Sequence, residues 1–424
     1  MTGKERRESE SSSASSDSDD SSHKEEETKP SDDNVLNKYS SAGEIANNVL
    51  KELIAKAKEG VTVGELCDYG DKRVLELTGN LFKKETKINK GISMPTCISI
   101  DNVVCHVSPL KSDAPIVLKN GQVVKIDVGA HVDGFVGLAA HTVVVGADKS
   151  NKVTGKKANV ILAAYNSLEA AIRYLHPSRG KNSNDITEVI GKVTKSYGVN
   201  AVENMLSQEV SKYKVNGEKQ IMQNPSDDQK TKVEKHTFEN YEVFAIDVLV
   251  TTGDGKVKAS DNRTTVYKKA DDLVYSLKMK ASRQFLTEAT KKFQNLPFSL
   301  RSFDNENAAK MGSLECANHG LITPYTILVD KETEVVAHFK ATIIILPNGL
   351  LKIAGLPLEE DLYQTDLKIE DEQLAALLKE ALKPKKKKGA KKEGGEPVAE
   401  APKKEAEPPK KKDEKKPAKS PKKP

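Results

Sequence analysis

Apolar residues recur at helical spacing through Ile45, Val49, Leu53 and Ala57, and Gly60 stops the run where a C-terminal glycine would. Order is therefore expected from near Ser40. Thr62 precedes Glu65 by three residues, a capping box that predicts a second helix carrying Leu66, Val74 and Leu77. Alternating and short apolar runs at 96–100 and 122–128 read as strands, and Asp133-Gly134 turns a hairpin that returns through 135–145.

The plan then recurs. Ile161, Ala164, Leu168, Ile172 and Leu175 form a helical stripe that ends at His176-Pro177, and Ile186, Val189, Ile190 and Val193 predict the next helix. A strand at 242–250, a turn at Gly253-Asp254-Gly255 and a return ending Thr264-Thr265-Val266-Tyr267 complete a second helix, helix, hairpin unit. Each half carries Ile-Asp-Val in its first strand, at Ile126-Asp127-Val128 and Ile246-Asp247-Val248. The expected fold is α+β with pseudo-twofold symmetry, one carboxylate from each half entering a shared cleft.

Residues 268–310 break the symmetry and read as a helical insertion bearing Leu273, Leu277, Ala281, Phe285, Ala289 and Phe293. Strands at 325–329, 334–346 and 350–354 follow, with a turn at Pro347-Asn348-Gly349, and a short helix from Asp371 to Leu382 closes the domain. The expected division is a 1–38 tail, a 39–382 domain and a 383–424 tail.

Charge accounts for the ends. Residues 1–34 carry net −6 and residues 383–424 net +10 of a total of +5, so the folded part is near neutral. The N-terminal stretch is rich in Ser, Asp and Glu and too poor in apolar residues to offset ordering entropy. Its acid-flanked serines, as in Ser16-Asp17-Ser18, read as kinase sites or as part of a solvated tail. At the C-terminus, Lys385, Lys386, Lys387, Lys388, Lys391 and Lys392 suit phosphate neutralisation without sequence reading, or nuclear localisation. The tail holds no aromatic to stack on bases. A second positive region, net +6 over 256–310, offers Lys278, Lys280, Arg283, Lys291 and Lys292 on folded structure as a nucleic-acid-binding face.

Four cysteines (Cys67, Cys97, Cys105 and Cys316) have neither metal nor disulfide-framework spacing, which points to a reducing compartment. No secretory h-region or membrane-length apolar run is present, so cytoplasm and nucleus are expected. Leu374, Leu377 and Leu378 spell LxxLL, which reads as a coregulator-docking motif or as core packing of an amphipathic helix. His131, His141, His319 and His338 read as structural histidines.

The segment KIDVGAHVDG at 125–134 resembles the metal strand of type-2 methionine aminopeptidases, and NVVCH at 102–106, EVFAID at 242–247 and VAHFKAT at 336–342 are similar to others of that family's motifs. The resemblance spans roughly 40–380 and implies the pita-bread fold. It also implies a two-metal site of two Asp, one His and two Glu, because such enzymes polarise the carbonyl and activate water with paired ions. Asp127 keeps the first position. Leu138 stands at the second, expected to face Asp127 across the hairpin, and the 205–210 segment lacks the His. Asp247 replaces the first Glu by a shorter acid, and Lys340 replaces the last with a cation. His106 matches a substrate-contacting His. Lys and Leu cannot ligate hard divalent ions, so no metal, cofactor or catalysis is expected.

This combination resembles the proliferation-associated 2G4 family, also called ErbB-receptor-binding proteins, catalytically silent relatives of the peptidase. The resemblance implies a monomer that binds ribosomal RNA and the large ribosomal subunit near the exit tunnel. It implies residence in cytoplasm, nucleus and nucleolus, with roles in ribosome biogenesis, translation and growth control. DNA and transcription coregulators are the alternative partners, and a surviving peptidase is the second alternative.

Overall fold

The computed structural model describes residues 28–383 other than Thr86, Asp272 and Val274. The acidic serines and Lys385 to Lys392 fall outside the described residues.

Helix α1 (Asp33–Lys56) begins earlier than its apolar stripe suggested. The Asp32 side chain accepts from the Asn34 and Val35 amides as N-cap, and Val35 is already buried. Residues 33–38, expected in the tail, are therefore helical. Helix α2 (Val63–Asn80) opens on the Thr62–Glu65 capping box, and α3 (Gly155–Tyr174) and α4 (Ser183–Ser196) repeat the pair in the second half.

One sheet carries both halves. Its order is β1 (Lys90–Ile100), β2 (Val123–Val132), β3 (Phe135–Val144), β7 (Val336–Leu346), β6 (Val243–Thr251), β4 (Leu206–Glu209) and β5 (Gln220–Met222), with β8 (Gly349–Ala354) also on β7. The β2–β3 hairpin turns at Asp133 (φ 54) and Gly134 (φ 82), the paired left-handed conformations of a tight turn.

The second hairpin is not built as expected. β6 pairs with β7, more than eighty residues on, rather than with the segment after Gly253-Asp254-Gly255. Residues 256–263 include Lys256, Lys258, Asp261 and Arg263 and cannot fill a strand buried on both faces; VAHFKATIIIL can, and all but its last residue is buried. The strand at Val266–Lys269 joins Phe298–Ser299 and Ile322–Pro324 in a separate three-stranded sheet.

Helices α1 and α2 cover β1–β3, while α3 covers β6 and β7. Gly43 of α1 lies on Gly137 of β3 so closely that a Cβ on Gly137 would come within 2.5 Å of the helix backbone. The insertion is two helices, α5 (Lys280–Phe293) and α6 (Glu306–Asn318), and so runs past 310. Leu277, Phe285, Ala289, Phe298 and Phe303 pack its own small core. Leu273 is half exposed and belongs to no helix. Helix α7 (Glu372–Lys379) buries Leu374 and Leu377 in the second-half core, with Leu378 partly buried beside them. The LxxLL leucines are thus held as core packing, and docking on a coregulator would require the helix to leave the domain.

Candidate functional site

Asp127 on β2 and Asp247 on β6 come from equivalent strands of the two halves, and β7 runs between those halves. Its register sets Lys340 opposite both Asp247 and Ala140, at the seam. The Lys340 ammonium lies 2.8 Å from Asp127 Oδ2 and 3.1 Å from Asp247 Oδ2. All three side chains are largely buried, at 10%, 5% and 19% exposure respectively.

His338, two residues before Lys340 and so on the same face of β7, places Nε2 2.5 Å from Asp247 Oδ1. Asp127 Oδ1 is buried with no hydrogen-bond partner among the described residues. Burial would raise the Asp247 carboxyl, but Lys340 and then His338 outweigh it and hold it down at about 2. Burial likewise opposes charge on Lys340, yet the two carboxylates hold its ammonium well above the usual lysine range. The centre is an ionic knot of Lys340 with Asp127 and Asp247, and His338 is hydrogen-bonded to Asp247.

A cavity of about 260 Å³ adjoins it, lined by His106, Leu138, Gln208, Asp247, Tyr325 and Lys340 among others. His106 adopts φ 70, its Nδ1 lies 3.1 Å from the Thr326 carbonyl, and its ring meets Tyr325 edge-on at 5.1 Å. Burial pushes its imidazole below the usual range. Leu138 does not stand directly across from Asp127. Ala140 does, and Leu138 is opposite Gly129, a diagonal neighbour on the same face. Asp133 is spent at the turn, paired with Lys38 at 2.8 Å and Lys212 at 3.1 Å. Among the described residues no group of three or more His, Cys, Asp or Glu is arranged to hold a metal ion.

His338 was legible as a structural histidine but not as part of this site; its i, i+2 relation to Lys340 was the available signal. Gln208 and Tyr325 carried no signal of their own. His131 is buried, held neutral at about 4 by burial, and accepts from the Gly134 amide at the hairpin turn. His319 is exposed and stacks on Tyr275, away from any carboxylate cluster.

The basic face is less uniform than its composition. Lys278, Lys280, Arg283, Lys291 and Lys292 are all exposed. Arg283 donates to the Leu277 and Lys278 carbonyls at 2.8 and 2.7 Å, and Lys292 pairs with Glu288 at 2.6 Å. Lys278, Lys280 and Lys291 have no ion-pair partner among the described residues, so they are the ones free to meet phosphate.

The sequence pattern of metallopeptidase family M24 matches residues 37–267, more than half of the chain. The chain belongs to that family. Within M24 it stands with the proliferation-associated proteins, being 39% identical to the Dictyostelium discoideum proliferation-associated protein A over 84% of this chain and 91% of the relative. It is similarly 39% identical to the Schizosaccharomyces pombe curved DNA-binding protein, over 85% and 94%. A solved structure of a thermophilic Arx1 superposes with TM-score 0.77 at 29% identity, covering 83% of this chain and 99% of that one. The pseudo-twofold sheet with its outer helix pairs is the M24 pita-bread fold.

Proposed function

We propose that this M24 chain works by binding rather than catalysis, its centre neutralised by its own lysine instead of metal. The observation that carries the reading is the Lys340 ammonium between Asp127 and Asp247. A peptidase of this fold needs paired divalent ions there. A buried ammonium at 2.8 and 3.1 Å from the two acids already supplies the cation they require, and Leu138 offers no donor beside them. The side chains present do not fit a metal pair, and no hydrolytic step follows from them.

The partners best supported are ribosomal RNA and the large ribosomal subunit. Kinship with the proliferation-associated proteins supports that direction, and so does the exposed charge of Lys278, Lys280 and Lys291, unpaired among the described residues. The 383–424 segment, net +10, acts in this reading as a polyanion-binding appendage, with the folded lysines setting register. Function in nucleus, nucleolus and cytoplasm goes with it; no helix among the described residues is long and apolar enough to cross a membrane. The fission-yeast relative's name supports a second reading, duplex DNA binding. Parallel titrations of isolated rRNA and curved duplex DNA against salt separate the two: tighter, more salt-resistant binding to rRNA is expected, and a preference for the duplex would overturn the ribosomal reading.

A further inference from the structure

On the helix-covered face of the sheet, behind the ionic knot, lies a second and larger cavity of about 870 Å³. It opens at the seam between halves, where the C-terminal turns of α1 end on one side and the 356–363 segment crosses on the other. Its wall is largely aliphatic, with Ile54, Val143, Val145, Leu356 and Leu358. Two polar rings stand in that wall, His141 and Tyr363. His141 of β3 points away from the carboxylate cluster, is 5% exposed, and its Nδ1 has no hydrogen-bond partner among the described residues. Phe339 meets it edge-on at 5.0 Å, and burial holds the imidazole neutral, at about 4.

An unpaired buried polar atom is costly, and a native fold that keeps one calls for a partner. Asn120 and Tyr363 line the same cavity, so a bound molecule would meet a few polar groups set in a mostly aliphatic wall. The volume lies within the roughly 300–1,000 Å³ of small-molecule pockets, which pair an apolar wall with few convergent polar groups. Rim charge decides the ligand's own charge: Lys51 and Lys58 are matched by Glu59 and Glu359, and the His141 ring is neutral. We infer that this cavity binds an uncharged, mostly apolar small molecule bearing one hydroxyl, amine or carbonyl that hydrogen-bonds His141. Nothing in the RNA-binding reading requires it.

The neutral fluorophore N-phenyl-1-naphthylamine, whose single N–H suits the imidazole, tests the site on the full chain. A saturable rise in emission at one equivalent is expected. Ala55→Trp, at an exposed α1 position lining the cavity, fills it from outside and should abolish the rise with an unchanged melting temperature. His141→Phe keeps the wall and removes the hydrogen bond, so the probe should bind about fivefold more weakly while the protein melts no lower. The inference is overturned by the absence of saturable binding, by binding that survives Ala55→Trp, or by His141→Phe binding as tightly as wild type.

Discussion

The Lys340 ammonium donates to Asp127 across the boundary between the two halves, 213 residues apart in the chain and 2.8 Å apart in space. Because the same nitrogen reaches Asp247, one side chain ties together two carboxylates that would otherwise repel in a poorly solvated cleft. Replacing Lys340 with Met keeps the volume, takes the cation from both acids and leaves Asp247 with His338 alone. Chemical denaturation should show a loss of roughly 3 kcal/mol, the order found when one partner of a buried pair is removed. Lys340→Glu should be worse in chelator-treated buffer. A Lys340→Met protein as stable as wild type would mean that the ammonium holds nothing together.

The acid limb of stability should report the same knot. Asp247 sits at about 2 when folded, below the ordinary carboxylate value, so its contribution is present above the ordinary value and lost as pH falls through about 2. In Lys340→Met the largest depressing partner is gone, and acid unfolding should begin at higher pH. Coincident acid-unfolding curves for the two proteins would contradict this.

A second buried lysine should behave in the opposite sense. Lys125 is 2% exposed and donates to the Asp101 carbonyl at 2.6 Å, and burial pushes its ammonium down to about 7. Between about 7 and the ordinary lysine value the unfolded chain binds the extra proton, so this group makes stability rise with pH across that window. Lys125→Met should stabilise the protein at pH 7 by about 1 kcal/mol and flatten that rise. Destabilisation at pH 7 would show that the hydrogen bond to Asp101 outweighs desolvation.

Much of this was legible in the sequence. The repeated Ile-Asp-Val strands, the Thr62–Glu65 box and the Asp133-Gly134 turn are local signals, and each is realised as a local structure. What was not legible is long-range pairing. Nothing near Gly253 says that β6 will wait for Val336–Leu346, because strand partners are chosen by burial of both faces rather than by proximity in sequence. The same distance hid His338 from Asp247. The earlier start of α1 was hidden because Val35 and Tyr39, its buried apolar residues there, lie among acids and polar side chains that mask the period.

The proposed interface divides affinity from register. Charge reversal at Lys278, Lys280 and Lys291 should abolish co-sedimentation with large ribosomal subunits even with residues 383–424 intact. Deleting 383–424 should instead weaken RNA binding and flatten its salt dependence, since the slope scales with the number of phosphates that the protein neutralises. Co-sedimentation unchanged by the triple reversal would put the interface elsewhere.

The most direct measurement is the metal content of the full-length chain, purified without chelator and dialysed against manganese, cobalt and zinc in turn. With Lys340 occupying the space between Asp127 and Asp247, elemental analysis should find no stoichiometric divalent ion. Two equivalents of any of these metals, lost in Asp127→Ala, would contradict the account at its centre.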